Sequence, residues 1–139
     1  MNLDMTECGN QVMLFFRHLD ERDYDALVSL LAPDAVWHRQ GKQLRGPAEA
    51  LQALRQRSPN MRIAHIITNL VVDHIDAGRC TMRGYMLVVR HETDQALDGP
   101  APLDGIESIR TIHVALKRRD TGWLIDELSN DPIAFAAVP

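Results

Sequence analysis

With 139 residues, the chain is long enough for one domain and too short for two hydrophobic cores, so residues 1–139 are expected to form a single domain. Apolar residues make up 45% of the chain and charged residues 24%, which is typical of a globular protein and excludes a mainly disordered one. The formal net charge of −4 leaves no surplus of basic side chains to neutralise phosphates, so nucleic acid is not expected as a partner.

The chain begins with two predicted helices. Asp4 and Glu7 have the spacing of a capping box, and apolar residues then recur at helical intervals, which predicts a helix over residues 6–19. Asp23 is a typical cap for a second, shorter helix over residues 24–31, which ends at a proline.

A small hairpin and a third helix are predicted next. Residues 35–40 favour a strand, Gly41 allows a tight turn, and residues 42–45 return as a second strand. Pro47 suits the first position of a helix, whose apolar spacing continues as far as Ser58.

The second half of the chain predicts two long antiparallel hairpins. Residues 62–75 and 80–91 are rich in β-branched and aromatic side chains and flank a short turn. Residues 108–117 and 123–128 form the second pair, and the stretch 93–105 between the hairpins is predicted to be a long exposed loop.

This order of elements predicts an α+β fold. Helices that precede a run of strands cannot make parallel crossovers, so they are expected to pack on one face of an antiparallel sheet. We expect a cone-shaped domain in which three N-terminal helices lie in the hollow of a strongly curved antiparallel sheet and leave a mostly apolar pocket at its open end.

Two residues are candidates for acid–base chemistry. Asp20 lies one helical turn beyond Phe16, beside the apolar stripe, where partial burial suits a general acid or base. A cap or turn residue is the alternative for Asp20. His65 lies within an apolar strand, and its alternative is a histidine that is hydrogen-bonded for structural reasons only.

Five further residues are weaker candidates for the pocket lining. Adjacent strand residues point to opposite faces, so only one of Trp37 and His38, and only one of Arg90 and His91, can face the pocket. Tyr85 is the fifth candidate, with a core or interface aromatic as the alternative.

No metal, cofactor or membrane is expected. The six histidines form no close ligand motif, and no glycine-rich phosphate loop follows a strand. Cys8 and Cys80 have no metal or disulfide spacing and are expected to be buried free thiols. Neither a secretory signal nor a stretch of about 20 apolar residues is present, so a cytoplasmic protein is expected.

Five local patterns give the chain a resemblance to a known family. They are residues 19–27 (LDERDYDAL), 31–37 (LAPDAVW), 44–50 (LRGPAEA) and 62–69 (RIAHIITN), with Gly122-Trp123 before the last strand. Together they resemble the SnoaL-like branch of the nuclear transport factor two-like superfamily, and within it the scytalone and bile acid dehydratases. The resemblance extends over nearly the whole chain.

The resemblance implies a catalytic pair. The dehydratases place an aspartate at the end of the first helix and a histidine on the first long strand, and these positions match Asp20 and His65. Three positions depart from the pattern. Leu19 replaces a tyrosine, a second histidine aligns with Arg90 or His91, and an amide falls near Ile112.

Two functional hypotheses follow. The first is a cofactor-free lyase or isomerase, similar to a dehydratase, that acts on a small hydrophobic cyclic molecule through His65 and Asp20. The second is a non-catalytic ligand-binding or assembly module, such as a dioxygenase-type small subunit, which would be favoured if His65 pointed to the outer face of the sheet. In either case a homodimer through the sheet is expected.

Overall fold

The three predicted helices are present in the computed structural model, which describes residues 2–139. They are α1 (Asn2–Glu21), α2 (Tyr24–Val28) and α3 (Gly46–Leu54). The predicted cap of α2 is confirmed, because the side chain of Asp23 accepts a hydrogen bond from the backbone N–H of Ala26.

Three helix ends differ from the prediction by three residues or more, and one of them is the end of α3, which lies at Leu54 and not near Ser58. Because α1 begins earlier than predicted, Asp4 lies in its first turn, and its carboxylate accepts hydrogen bonds from Arg118 and from the indole of Trp123 instead of capping the helix. α2 ends before residue 31, because Leu31 already pairs with Ile125 in the sheet. Helical spacing of leucines did not distinguish a buried helix end from a buried strand start.

The other elements form one seven-stranded sheet. Its strands are β1 (Leu31–Arg39), β2 (Lys42–Arg45), β3 (Met61–Ile75), β4 (Arg79–Glu92), β5 (Ser108–Arg119), β6 (Gly122–Asn130) and β7 (Phe135–Ala136). Six strands follow the order β2-β1-β6-β5-β4-β3, and β7 pairs with β5. The stretch 93–105 contains no helix or strand, as predicted.

The predicted α+β fold of three helices on a strongly curved sheet is confirmed, with one refinement. All strand pairs are antiparallel except β1 and β6, which run parallel and make the sheet mixed. These two strands are far apart in sequence, so no hairpin turn fixes their relative direction.

A defect in β3 contributes to the curvature of the sheet. The register between β3 and β4 shifts between Thr68 and Val71, and Asn69 within this bulge has a positive φ of 52°. Bulges bend the strand that carries them. On β4, a Cβ atom at Gly84 would lie 3.0 Å from Leu70 Cδ1 and 3.2 Å from the Thr68 carbonyl oxygen, so glycine permits this close approach.

The helices pack into the hollow of this sheet. Val12, Phe15 and Phe16 on α1 are buried, and the ring of Phe15 meets that of Trp37 edge to face at a centroid distance of 5.0 Å. The two cysteines are free and buried, as predicted. Burial, together with the adjacent Cys80, raises the pKa of the Cys8 thiol to about 12.

Candidate functional site

Asp20 and His65 form a close pair, in spite of the 45 positions between them. The Oδ1 atom of Asp20 lies 2.6 Å from His65 Nδ1, and its Oδ2 atom accepts a hydrogen bond of 2.8 Å from the His65 backbone N–H. The side chains are largely buried, with exposed fractions of 18% for Asp20 and 11% for His65. One carboxylate therefore fixes both the ring and the backbone of the histidine.

The edge of the sheet explains the backbone bond. β3 is the last strand of the sheet, so alternate backbone N–H groups point away from β4 and have no partner strand. Asp20, in the last turn of α1, satisfies the one at His65. This removes a free donor from the edge and holds the end of the helix over the strand.

Two arginines hold the end of α1 in this position. Arg57 donates a hydrogen bond of 2.9 Å to the carbonyl oxygen of Leu19, directly before the aspartate. Arg22, which has a positive φ of 62°, donates bonds of 2.6 Å to the carbonyl oxygens of Ser58 and Met61. The start of β3 and the end of α1 are thus tied together on both sides of the Asp20–His65 pair.

The hydrogen bonds also set the protonation of the imidazole. Because a carboxylate only accepts, Nδ1 of His65 must carry the proton that it shares with Asp20. The other nitrogen, Nε2, has no hydrogen-bond partner among residues 2–139. The ring packs against Phe16 at a centroid distance of 5.6 Å and lines a cavity in the hollow of the sheet. The arrangement leaves one ring nitrogen free for a ligand and holds the other against a carboxylate that can stabilise a positive charge on the ring.

The cavity lies at the open end of the cone and has a volume of about 340 Å³. Pockets of about 300–1,000 Å³ commonly accommodate small organic ligands. Its apolar walls include Phe16, Leu19, Trp37, Met86, Val88 and Leu128. The helix stripe and alternate residues of β1, β4 and β6 supply these walls, because they face the hollow of the sheet.

The cavity is more polar and more basic than the sequence predicted. Its lining includes Arg39, Arg57, Arg90, Arg110, Glu107 and Asn130 together with His65. Arg90 is neutralised by Glu107, whose Oε1 atom lies 2.7 Å from Arg90 Nη2. The other three arginines have no carboxylate partner among the described residues.

The structure separates the five weaker candidates into two groups. Trp37 and Arg90 line the cavity. Tyr85 is 49% exposed, and Tyr85 and His91 alternate with the cavity-facing Met86 and Arg90, so both lie on the outer face of β4. Their prediction as pocket residues is corrected.

His38 also lies outside the main cavity. It neighbours the inward-facing Trp37 on β1 and therefore points to the other face, where its Nε2 atom is 2.9 Å from Glu127 Oε2. Its prediction as a pocket residue is corrected as well. Of each adjacent pair, one member faces the pocket, as strand geometry requires.

Sequence reasoning missed six polar residues of the cavity, although strand alternation contains a signal for three of them; the six are Arg39, Gln40, Arg57, Glu107, Arg110 and Asn130. Arg39 lies two residues after Trp37, and Arg110 lies two residues before the buried Ile112, so each shares a face with an inward residue. Asn130 is the cross-strand partner of Ile112, so an amide faces the cavity from the strand next to the position where the resemblance implied one. Arg57, at the end of α3, gave no such signal.

The structure adds two limited observations on metals and membranes. Among residues 2–139, no three His, Cys, Asp or Glu side chains are grouped so that they could hold a metal ion. None of the helices in this part of the chain is both long enough and apolar enough to cross a bilayer. The absence of a metal or cofactor stays a prediction.

The chain matches one family model. The model of the SnoaL-like domain matches residues 2–129, which is almost the full length of the chain. No curated protein matches the chain.

Several solved structures share this architecture. An NTF2-like protein with a cystatin-like fold from Novosphingobium aromaticivorans is 18% identical, with a TM-score of 0.75 over 91% of this chain and 80% of its own. A protein from the same organism, provisionally named a scytalone dehydratase, is 17% identical, with a TM-score of 0.73 over 99% and 90% of the two chains. A Catenulispora acidiphila protein in complex with S-DNPA is 19% identical, with a TM-score of 0.73 over 94% and 93%. At these identities the likeness establishes the fold alone.

Proposed function

Because the chain belongs to the SnoaL-like domain family, we propose that its cavity is the active site of a cofactor-free lyase or isomerase, similar to a dehydratase. Its substrate is a small, largely hydrophobic cyclic molecule. The observation that carries this proposal is the Asp20–His65 pair, in which the imidazole lines the cavity and keeps Nε2 unpartnered.

His65 is the general base of the proposed reaction, and Asp20 is its positioning residue. Nε2 removes a proton from a carbon next to a carbonyl group, the electron pair of the broken C–H bond forms a C=C bond, and the carbonyl π pair moves to the oxygen to give an enolate. Asp20 stabilises the imidazolium that results. In a lyase the carbonyl then re-forms, a Cα=Cβ bond is made and the Cβ–O bond breaks, and the imidazolium protonates the departing hydroxyl so that it leaves as water. In an isomerase the carbonyl re-forms as the imidazolium returns the proton to another carbon of the same conjugated system.

Two neighbouring proteins support this choice of ligand and reaction. One structure with the same fold has the provisional name scytalone dehydratase, and another holds the small molecule S-DNPA. The cavity walls agree with a cyclic ligand, since the aromatic side chains of Phe16 and Trp37 are part of the lining. The second hypothesis, a non-catalytic module, was tied to an outward-facing His65, and the orientation of His65 into the cavity argues against it.

The experiment that tests the proposal combines ligand discovery with a variant. Crystals soaked with cyclic ketones, phenols and hydroxy ketones are expected to place a ligand in the cavity beside His65, and that ligand class is then assayed for water loss or double-bond migration. His65→Ala is expected to remove turnover while leaving the fold intact. The matched control is His113→Ala, which removes an exposed histidine that pairs with Asp131 at 2.9 Å. Equal turnover in the two variants would end the proposal.

A second copy of the chain is the partner we propose. The outer face of β3 and β4 exposes Ile66, Val71 and Tyr85, which are 44–49% accessible and lie on one continuous sheet surface. Tyr85→Glu is expected to convert a dimer into a monomer in light scattering, because it places a charge on this apolar face. A wild-type monomer would refute the dimer.

The cytoplasmic location remains a prediction.

A further inference from the structure

Arg110 is a cavity residue whose side chain has no partner among residues 2–139. Its side chain makes no hydrogen bond or ion pair with any residue of the described chain, and its Nε atom is buried. A guanidinium carries five N–H donors in a rigid fork, and a buried donor without an acceptor is unfavourable. The position of this side chain in the cavity wall is thus unexplained by the stability of the protein.

Two more arginines of the same cavity lack an anion. Arg39 lies over the ring of Trp37 at 5.6 Å and makes a weak contact of 3.4 Å with the side chain of Gln40. Arg57 donates only to neutral oxygens, those of Leu19 and Tyr24, and its Nε atom is also buried without a partner. Burial, followed by the positive charge of Arg57, lowers the pKa of Arg39, so the two charges lie close enough to repel each other.

The charge of the cavity is opposite to that of the whole chain. The chain has a formal net charge of −4, whereas the cavity lining contains four arginines and a single carboxylate, Glu107, which is held by Arg90. Positive side chains gathered in a recess of a negative protein attract and concentrate anions there. Apolar walls next to the arginines restrict the choice to an anion that also has a hydrophobic part.

We propose that the substrate of this site is a hydrophobic cyclic carboxylic acid, whose carboxylate binds to Arg110 with support from Arg39, while its ring lies against Trp37 and Phe16. This inference rests on the proposed function, because it takes the cavity to be the substrate site. The fork of a guanidinium matches the planar carboxylate with two parallel hydrogen bonds.

The sheet register sets the length of such a substrate. Arg110 pairs across strands with Met86, and His65 pairs with Val88 two residues further along the same strand. With strands about 4.8 Å apart and about 3.4 Å per residue, the Cα atoms of Arg110 and His65 are about 12 Å apart. Both side chains extend into this span. The distance left between them suits a single ring, or two fused rings, between the carboxylate and the reacting carbon.

Binding of matched neutral and anionic probes tests the inference. The probes are benzoate, cyclohexanecarboxylate and naphthalene-2-carboxylate, each compared with its primary amide by calorimetry at neutral pH. The wild-type protein is expected to bind at least one acid tenfold or more tightly than its amide. Arg110→Gln is expected to abolish that preference by weakening the acid and leaving the amide unchanged. Arg119→Gln is the control, since Arg119 lies at the opposite end of β5 from Arg110 and pairs with Asp34 at 3.0 Å.

The outcomes separate this inference from the proposed function. Equal affinity for acid and amide, an unchanged preference in Arg110→Gln, or no binding of any acid at millimolar concentration would overturn the carboxylate site. The His65→Ala variant is expected to keep the preference for the acid. If that preference is present but no acid with a removable proton is turned over, the carboxylate site stands and the acid–base function fails.

Discussion

The two ends of the cone differ in how completely their polar groups are paired. At the closed end, Trp123 is buried, its indole N–H donates to Asp4, and its backbone oxygen accepts a 2.7 Å bond from Gln11. At the open end, the buried Nε atoms of Arg57 and Arg110 have no partner. A buried polar group without a partner lowers stability and calls for an explanation, and for two arginines that line one cavity a ligand supplies it. The closed end should therefore determine stability and the open end function.

The prediction with the largest expected effect on stability compares the two tryptophans of the chain, one at each end of the cone. Trp123→Ala at the closed end is expected to lower the free energy of unfolding by about 3–5 kcal/mol, because it leaves a cavity in a packed region. Trp37→Ala at the open end is expected to lower it less, since part of its ring already borders the ligand cavity, and to weaken binding of cyclic ligands. Urea denaturation followed by circular dichroism measures the first effect and calorimetry the second. Equal losses of stability would contradict the division.

Asp20→Asn tests the open end, where we expect a loss of turnover with little change in stability. The amide can still accept a bond from the His65 backbone, but its NH₂ group then faces Nδ1 and favours the tautomer with the proton on Nε2. The base is lost, so turnover is expected to fall by about 10²–10⁴-fold with little change in the free energy of unfolding. Asp76→Asn, in the exposed pair with His74, is the control for turnover. A large loss of stability with normal turnover would make Asp20 a structural residue.

The sequence predicted the strands better than it predicted which residues meet at the open end. The long hairpins follow from β-branched alternation and short turns, which are local signals, and the structure agrees with them to within a few residues. Local patterns do not specify which strand edge a helix end covers, so the pairing of Asp20 with His65 was implied only by family resemblance. Alternation also does not say which face is the inner one, and this is why Tyr85 was placed inside and the choice between Arg90 and His91 stayed open.

The parallel pairing of β1 with β6 and the bulge at Asn69 were beyond sequence reasoning for a related reason. Both depend on contacts between distant segments, and asparagine at a positive φ has no strong local signature within a strand. Arg110 was missed because charged side chains are normally assigned to solvent, although it shares a strand face with the buried Ile112. An arginine in register with core residues is itself a signal of a functional cavity.

The smallest predicted effect has the opposite sign to the others. Arg110→Leu replaces a partly buried guanidinium, whose Nε is unpartnered, by an apolar side chain, so the free energy of unfolding is expected to rise by about 1 kcal/mol in the absence of ligand. Arg118→Leu is the contrasting variant, because Arg118 pairs with Asp4 at 2.8 Å and lies over the Trp123 ring at 5.7 Å, and its loss is expected to lower stability. Paired urea titrations of the two variants measure the difference. A stabilised protein that no longer prefers carboxylates would mean that Arg110 is retained for its ligand at the expense of the fold, whereas a destabilised Arg110→Leu would mean that the open end contributes to stability as the closed end does.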